Sequence, residues 1–238
     1  KRSKTVNSKE QQHQEQIVDQ FSRQAVPFAR LPGHLNAMQT LVEIAGAGPE
    51  DKLLDVACGP GLVVCEFAPR VLQAEGIDIT MAMIEQGRKR QREAGLNNVF
   101  WRVGTVDPLP YGDASFSVVV TRYSFHHFLH PRRVLEEMAR VCRPGGKILV
   151  ADVELPSEKA GAYDRMEKMR DPSHVRALTR GELDSWFAAA KLQECRQARY
   201  AVEMELEAQL QASFPAPGDE ARLREMVAAD IGPNELGV

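Results

Sequence analysis

Three segments of the sequence concentrate residue types that can do chemistry. In the first, Leu53-Leu54-Asp55-Val56-Ala57-Cys58-Gly59-Pro60-Gly61, an apolar run enters a Gly-Pro-Gly turn just before a helical pattern. Glycines there let the backbone approach a ligand closely, and the next helix N-terminus offers it free N–H groups. A tight strand-to-helix turn also needs glycine for conformation alone, so this motif does not decide by itself. Asp78 adds weight: it ends the next apolar run, at a separation suited to an acidic group that accepts from ribose hydroxyls. Its alternative role, capping the following helix, can fall to Thr80. A dinucleotide fingerprint would place Gly or Ala where this chain has Val64, which disfavours NAD.

The second segment is Thr121-Arg122-Tyr123-Ser124-Phe125-His126-His127-Phe128, at the end of another apolar run. Carboxyl ends of strands border ligands in open α/β sheets. His126 and His127 are candidate bases because imidazole titrates near neutral pH. His126 reads first as a packing or hydrogen-bonding residue, and His127 stays open between the two roles. The third segment, Arg170-Asp171-Pro172-Ser173-His174-Val175-Arg176, is rich in functional groups for a connector. It reads as a surface loop held by salt bridges or as a substrate lid, with Arg170 and His174 the residues that would act. Tyr163, Met166 and Met169 read as helix core, with a pocket wall as the alternative.

The elements that must position these residues follow from apolar spacing. Strands are expected at Lys52–Ala57, Glu75–Ile79, Val99–Val103, Phe116–Thr121 and Lys147–Asp152. Helices are expected between them at Leu62–Leu72, Met81–Ala94 and Pro131–Cys142. This alternation predicts an α/β fold, a Rossmann-like doubly wound and mostly parallel sheet. Residues 1–9 are polar and aperiodic and read as a tail. Helices at Glu10–Ser22 and His34–Ala45 follow as an amino-terminal cover. Beyond Glu154, Thr179-Arg180-Gly181-Glu182 fits a capping box, Leu192–Val202 reads as a ragged sixth strand, and Glu203–Val238 reads as helical. The expected plan is cover over 1–46, core over 47–202 with a lid within 155–190, and a helical cap over 203–238.

Length and composition bound the reading. The 238 residues, 26% charged and 43% hydrophobic, suit one globular domain with a modest lid. A net charge of -3 gives no electrostatic case for nucleic acid or an anionic membrane. The basic run Arg88–Arg92 reads as a solvated helix face. Cys58, Cys65, Cys142 and Cys195 form no CxxC pair, so no metal site is expected and the thiols read as reduced, in a cytoplasmic protein. No apolar run approaches a membrane span.

Taken together, the blocks resemble the class I S-adenosylmethionine (SAM)-dependent methyltransferases. Leu54–Gly61 is similar to their acidic, Gly-x-Gly signature, and Gly76-Ile77-Asp78-Ile79-Thr80 with Met83 to their ribose and adenine segment. Leu109-Pro110-Tyr111, Phe116–Val120 and Arg143-Pro144-Gly145-Gly146-Lys147 resemble their later blocks. The branch most alike is the one named for ubiquinone/menaquinone-biosynthesis C-methyltransferases, which methylates many small molecules.

The resemblance implies SAM as cofactor and S-adenosylhomocysteine as product. It implies that Gly59 and Gly61 back the methionine part, Asp55 orients the loop or meets the amino group, and Asp78 holds the ribose diol. Ile79 and Met83 would pack beside adenine. Thr105 stands where the family often has Asp, which leaves the adenine contact to its hydroxyl and to the Val106 backbone. Thr121 to His127 would border the methyl group, with Tyr123 and His126 beside the substrate. Phe21, Phe28 and His34 resemble the amino-terminal cover, Phe28 facing substrate and His34 reaching the SAM carboxylate.

The acceptor is expected to be a small molecule, aromatic, heterocyclic or quinone-like. A nucleic-acid methyltransferase lacks its Asn/Asp-Pro-Pro-aromatic signature and basic charge here; a SAM-binding protein without catalysis is the other alternative. The family sheet has seven strands in the order 3-2-1-4-5-7-6. Glu203–Val238 holds no convincing β run, so the seventh strand is expected to be absent. Unpaired edges would then invite a partner chain, a homodimer being one such arrangement.

Overall fold

The computed structural model describes residues 2–29, 37–193 and 196–238. Its helices are α1 (Arg2–Phe28), α2 (Met38–Ala45), α3 (Leu62–Phe67), α4 (Met81–Glu93), α5 (Pro131–Val141), α6 (Ser157–Arg170), α7 (Arg180–Ala189), α8 (Leu206–Ser213) and α9 (Asp219–Asp230). Five strands, β1 (Lys52–Val56), β2 (Gln73–Asp78), β3 (Val99–Val103), β4 (Phe116–Arg122) and β5 (Cys142–Ala151), form one parallel sheet in the order β3-β2-β1-β4-β5. The order reverses between β1 and β4, and ligands of open α/β sheets bind at such a switch point.

Adjacent residues on a strand serve different cores. Leu53 and Val118 pack with α2 and α3 on one face, while Leu54 and Val119 pack with α5 on the other. A strand covered on both faces reads as a continuous apolar run, which is why β1 and β4 are so legible. On α5 the stripe Val134, Leu135, Met138 and Val141 is fully buried, each side chain contributing about 1.5–3 kcal/mol of transfer free energy. Helices α6, α8 and α9 share a smaller core around Met166, Leu210, Leu223 and Leu236.

Four expectations need correction. Residues 2–9 belong to α1 rather than to a tail. The stretch from Arg2 to Val26 holds no Gly or Pro, and its Lys, Glu and Gln residues favour helix without an apolar stripe. Helix α3 stops at Phe67 and tightens into a 3-10 turn at Ala68–Arg70, because Pro69 cannot donate to an α-helical ladder. Strand β5 begins at Cys142 rather than Lys147, through a bulge opposite Phe116–Val118 in which Gly145 takes φ 74°.

The sixth strand does not form: no described residue of 192–202 is in a strand. Polar side chains dominate that stretch, and no later strand pairs with it to repay its ordering. Instead Tyr200 reaches Tyr123 at 3.0 Å and Arg196 donates to the Glu43 carbonyl at 3.2 Å. The absent seventh strand agrees with expectation: the described residues after Ala151 contribute no strand to the sheet. The Thr179 capping box is formed, with the Glu182 carboxylate accepting from the Thr179 N–H at 3.0 Å.

Candidate functional site

The turn after β1 is shaped by three left-handed residues, Ala57, Gly59 and Gly61. The two glycines do different work. A Cβ on Gly59 would meet nothing within 4 Å, so the turn is open towards a cavity there. A Cβ on Gly61 would lie 2.3 Å from the Trp101 ring and 3.1 Å from the Gly87 Cα. Gly61 therefore lets β3 and α4 close on the turn, and it does not line the cavity.

Asp78 clamps this turn. One carboxylate oxygen accepts the Gly59 N–H at 2.9 Å and the other the Thr80 N–H at 2.8 Å. Burial still raises its pKa, the two backbone hydrogen bonds opposing it. Asp55 is more extreme. Burial first, then the nearby Asp78, push it well above the usual carboxylate range, with Arg122 acting against them. Its Oδ2 is buried with no hydrogen-bond partner among the described residues. An acceptor in that state costs about 1–3 kcal/mol unless a ligand donor meets it.

The cavity at this turn is lined by Asp55, Gly59, Asp78, Ile79, Met83, Thr105 and Val106, together with Phe28, Tyr123 and His127. The Thr105 hydroxyl also contacts the Pro108 carbonyl at 3.5 Å. His34 lies outside the described residues. Thr121 does not line the cavity: its hydroxyl donates to the Val56 carbonyl at 2.7 Å and meets Ser124, tying β4 to β1. Sequence reasoning placed Arg122 in the segment bordering the methyl group but gave it no role of its own; its signal was a charge at the end of a buried strand. Arg122 is 8% exposed, lines the cavity, and donates to the Tyr123 hydroxyl at 3.2 Å. Sequence reasoning missed Glu10, His13 and Gln14, because α1 lies over the cavity further along its length than the apolar residues suggested.

The residues present fit SAM. The unpaired Asp55 oxygen suits an ammonium, the Arg122 cation suits a carboxylate, and Ile79, Met83 and Val106 offer an apolar wall. Gly59 leaves the space beside them open.

A second, larger cavity of about 1320 Å³ lies beyond β4 and β5, lined in part by Asp152, Tyr163, Met166 and Leu210. Phe21, Phe28, Tyr123 and His127 line both cavities, so anything passing from one to the other passes them. Tyr123 holds φ 54°, a left-handed backbone of the kind that costs about 1–3 kcal/mol and clusters at functional sites.

Beneath the junction lies a cluster of histidines and carboxylates. His126 Nδ1 stands 2.5 Å from Asp152, whose carboxylate also accepts N–H bonds from Ser124, Phe125 and Val153. Burial disfavours the imidazolium, yet Asp152 outweighs it and raises the His126 pKa. Burial likewise opposes ionisation of Asp152, and His126 and the N–H groups hold it below the usual range. His126 lines the second cavity alone.

His127 differs. Burial, then the neighbouring His126, lower its pKa to about 3, so it is a neutral imidazole. His174 lies behind both and lines neither cavity. Asp164 on α6 holds its Nε2 at 2.8 Å and its ring packs 6.0 Å from Tyr163, which keeps it away from the junction. Arg170 does line the second cavity, but its guanidinium is engaged by Glu167 at 2.5 Å and by the Ser213 hydroxyl at 2.7 Å.

Known proteins resemble this chain in sequence and fold. Residues 54–150 match the family model described as a methyltransferase domain. The uncharacterized methyltransferase YcgJ of Bacillus subtilis is 32% identical over 154 residues, covering 64% of this chain and 61% of the relative. A demethylmenaquinone methyltransferase of Renibacterium salmoninarum is 31% identical over 117 residues, 49% of this chain and 47% of that one. The chain thus spans between about half and three-fifths of these relatives' own lengths. The solved structure of the Bacillus YcgJ protein superposes with a TM-score of 0.76 at 26% identity, covering 80% of this chain and 82% of that one. Residues 54–150 thus match a methyltransferase domain in sequence, and the chain shares the fold of the Bacillus YcgJ protein.

Proposed function

We propose that this protein transfers a methyl group from SAM to a small, largely apolar acceptor held in the second cavity. The observation that carries this reading is the junction. A cavity with the polar groups SAM needs meets a larger one at Phe21, Phe28, Tyr123 and His127.

Asp55 accepts from the amino group of SAM, which restores its ionised form, and Arg122 holds the carboxylate. Asp78 keeps the Gly59 turn in place and directs its remaining lone pairs to the ribose hydroxyls. Ile79, Met83 and Val106 pack on adenine, and the Thr105 hydroxyl contributes a polar contact at its edge. When bound, SAM supplies an activated methyl on a sulfonium that leaves readily as S-adenosylhomocysteine. The chain's task is then alignment: Tyr123 and His127 fix the acceptor in line with the methyl, with water excluded by Phe21 and Phe28. Helix α6, with Asp171 just past its end, walls the acceptor side as a lid.

The demethylmenaquinone methyltransferase relative makes a quinol head group the first acceptor to try. The net charge of -3 argues against nucleic acid. The test is incubation with isotope-labelled SAM and a metabolite extract supplemented with quinols, followed by mass spectrometry. A labelled product of one added methyl is expected. Calorimetry should show binding of S-adenosylhomocysteine; tight NADH binding in its place would sink the reading. Binding without any labelled product would favour a SAM-binding protein without catalysis.

A further inference from the structure

The junction residue His127 is held from behind by a chain of hydrogen bonds that fixes where its proton sits. The Ser173 hydroxyl lies 2.6 Å from Asp171 Oδ1 and 3.1 Å from His127 Nδ1. Asp171 is 1% exposed and also accepts the Ser173 N–H at 2.9 Å and the Gln24 amide at 3.2 Å. Burial resists its ionisation, but Arg170 and the Ser173 hydrogen bonds hold its pKa below the usual range. An ionised carboxylate only accepts. The single Ser173 proton is therefore given to Asp171, and the Ser173 oxygen has only lone pairs left for His127. Nδ1 must then carry the imidazole proton. Nε2 has no hydrogen-bond partner among the described residues and is not one of the sealed, unpaired atoms of the interior, while the ring lines both cavities.

We propose that Asp171 and Ser173 are positioning residues that lock His127 in its Nδ1–H tautomer, so that a bare Nε2 faces the methyl-transfer junction as a hydrogen-bond acceptor. This deepens the methyltransferase reading and rests on it. Its consequence is a substrate class. The acceptor's nucleophile must bring a proton of its own, as a hydroxyl or N–H does, which Nε2 binds so that a lone pair of the nucleophile points at the methyl. The other charged or titratable groups around the ring are His126 beside it, His13 from α1, Asp152 after β5, Glu167 and Arg170 from α6, and His174 from the loop. His13 meets only the His127 carbonyl, at 2.7 Å. Burial and the neighbouring His126 keep His127 uncharged, so the lock selects between two neutral forms.

The test is nitrogen NMR on protein carrying isotope-labelled histidine, saturated with S-adenosylhomocysteine at neutral pH. His127→Gln assigns the signal among the six histidines. The wild type should show His127 neutral, protonated on Nδ1 and bare on Nε2. Ser173→Ala removes the hydroxyl that accepts from Nδ1–H and should move the proton towards Nε2, and Asp171→Ala should do the same. In methyl transfer, Ser173→Ala should lower kcat by at least about tenfold while the KM for SAM stays unchanged. A wild-type His127 protonated on Nε2, or a tautomer indifferent to Ser173→Ala, overturns the lock. An unchanged kcat in Ser173→Ala overturns its use in catalysis. Loss of S-adenosylhomocysteine binding by the wild type would be a failure of the cofactor reading instead.

Discussion

The two polar regions of this molecule are built on opposite principles. At the carboxyl ends of β1 and β2 the polar groups are incomplete: the Asp55 oxygen has no partner among the described residues and the space beside Gly59 is open. Under the second cavity, Asp152 takes four hydrogen bonds, Glu167 engages Arg170, and Asp171 binds Ser173 and Gln24. There the protein satisfies itself almost completely. The difference separates groups that a ligand must complete from groups that hold one another in register. His126 and His127 stand side by side yet fall on opposite sides of that division.

The sharpest way to break the contrast is at the turn. Gly61→Ala forces a Cβ to 2.3 Å from Trp101 at a positive φ. Overpacking and left-handed strain together should cost about 3–5 kcal/mol in urea unfolding. Gly59→Ala, with open space and the same hand of backbone, should cost only about 1–2 kcal/mol and mainly weaken SAM binding. Equal losses in the two would erase the division of labour between them. Next comes Asp78→Ala, which removes the turn clamp and the carboxylate proposed to hold the ribose. Its Kd for S-adenosylhomocysteine should rise by about 100-fold in calorimetry, about 2.7 kcal/mol; an unchanged Kd would remove Asp78 from the site.

The histidines give a smaller effect of opposite sign. His126 has a raised pKa when folded, so its stabilisation is full below the unfolded value of about 6.5 and fades as pH rises through the folded value. His127 is held neutral when folded, so it costs stability as pH falls below about 6.5. Between neutrality and mild acid, His127→Gln should therefore lose less stability than wild type, by about 2 kcal/mol. His126→Gln should flatten the decline on the alkaline side. Variants that both move the same way would contradict the assignment. The smallest change is Thr105→Ala, expected to alter SAM affinity by less than about threefold in the same calorimetry, as one exposed hydroxyl contributes little.

The sheet was legible because both its faces are covered, leaving β1 and β4 as unbroken apolar runs. Asp55, Gly59 and Asp78 were legible for a related reason: a turn that must let a ligand approach restricts residue types locally. The relay behind His127 could not be read that way, since Ser173 lies 46 residues further along and nothing in its neighbours names its partner. His174 looked as well placed as His127 until α6 brought Asp164 against it. Leu192–Val202 reads as a ragged strand, but strand formation also needs a neighbour to pair with, which no local pattern reports.

The packing of Trp101 against Gly61, Gly76 and Gly87 has an optical consequence. The chain has two tryptophans, and the other, Trp186, sits on α7 with the Arg176 guanidinium 5.8 Å from its ring. One fluorophore thus rests directly on the cofactor turn and the other on the helix that walls the second cavity. Replacing either with Phe would give a single-emitter protein. In such proteins the arrival of cofactor and the arrival of acceptor can be timed separately, by stopped-flow, without any attached dye.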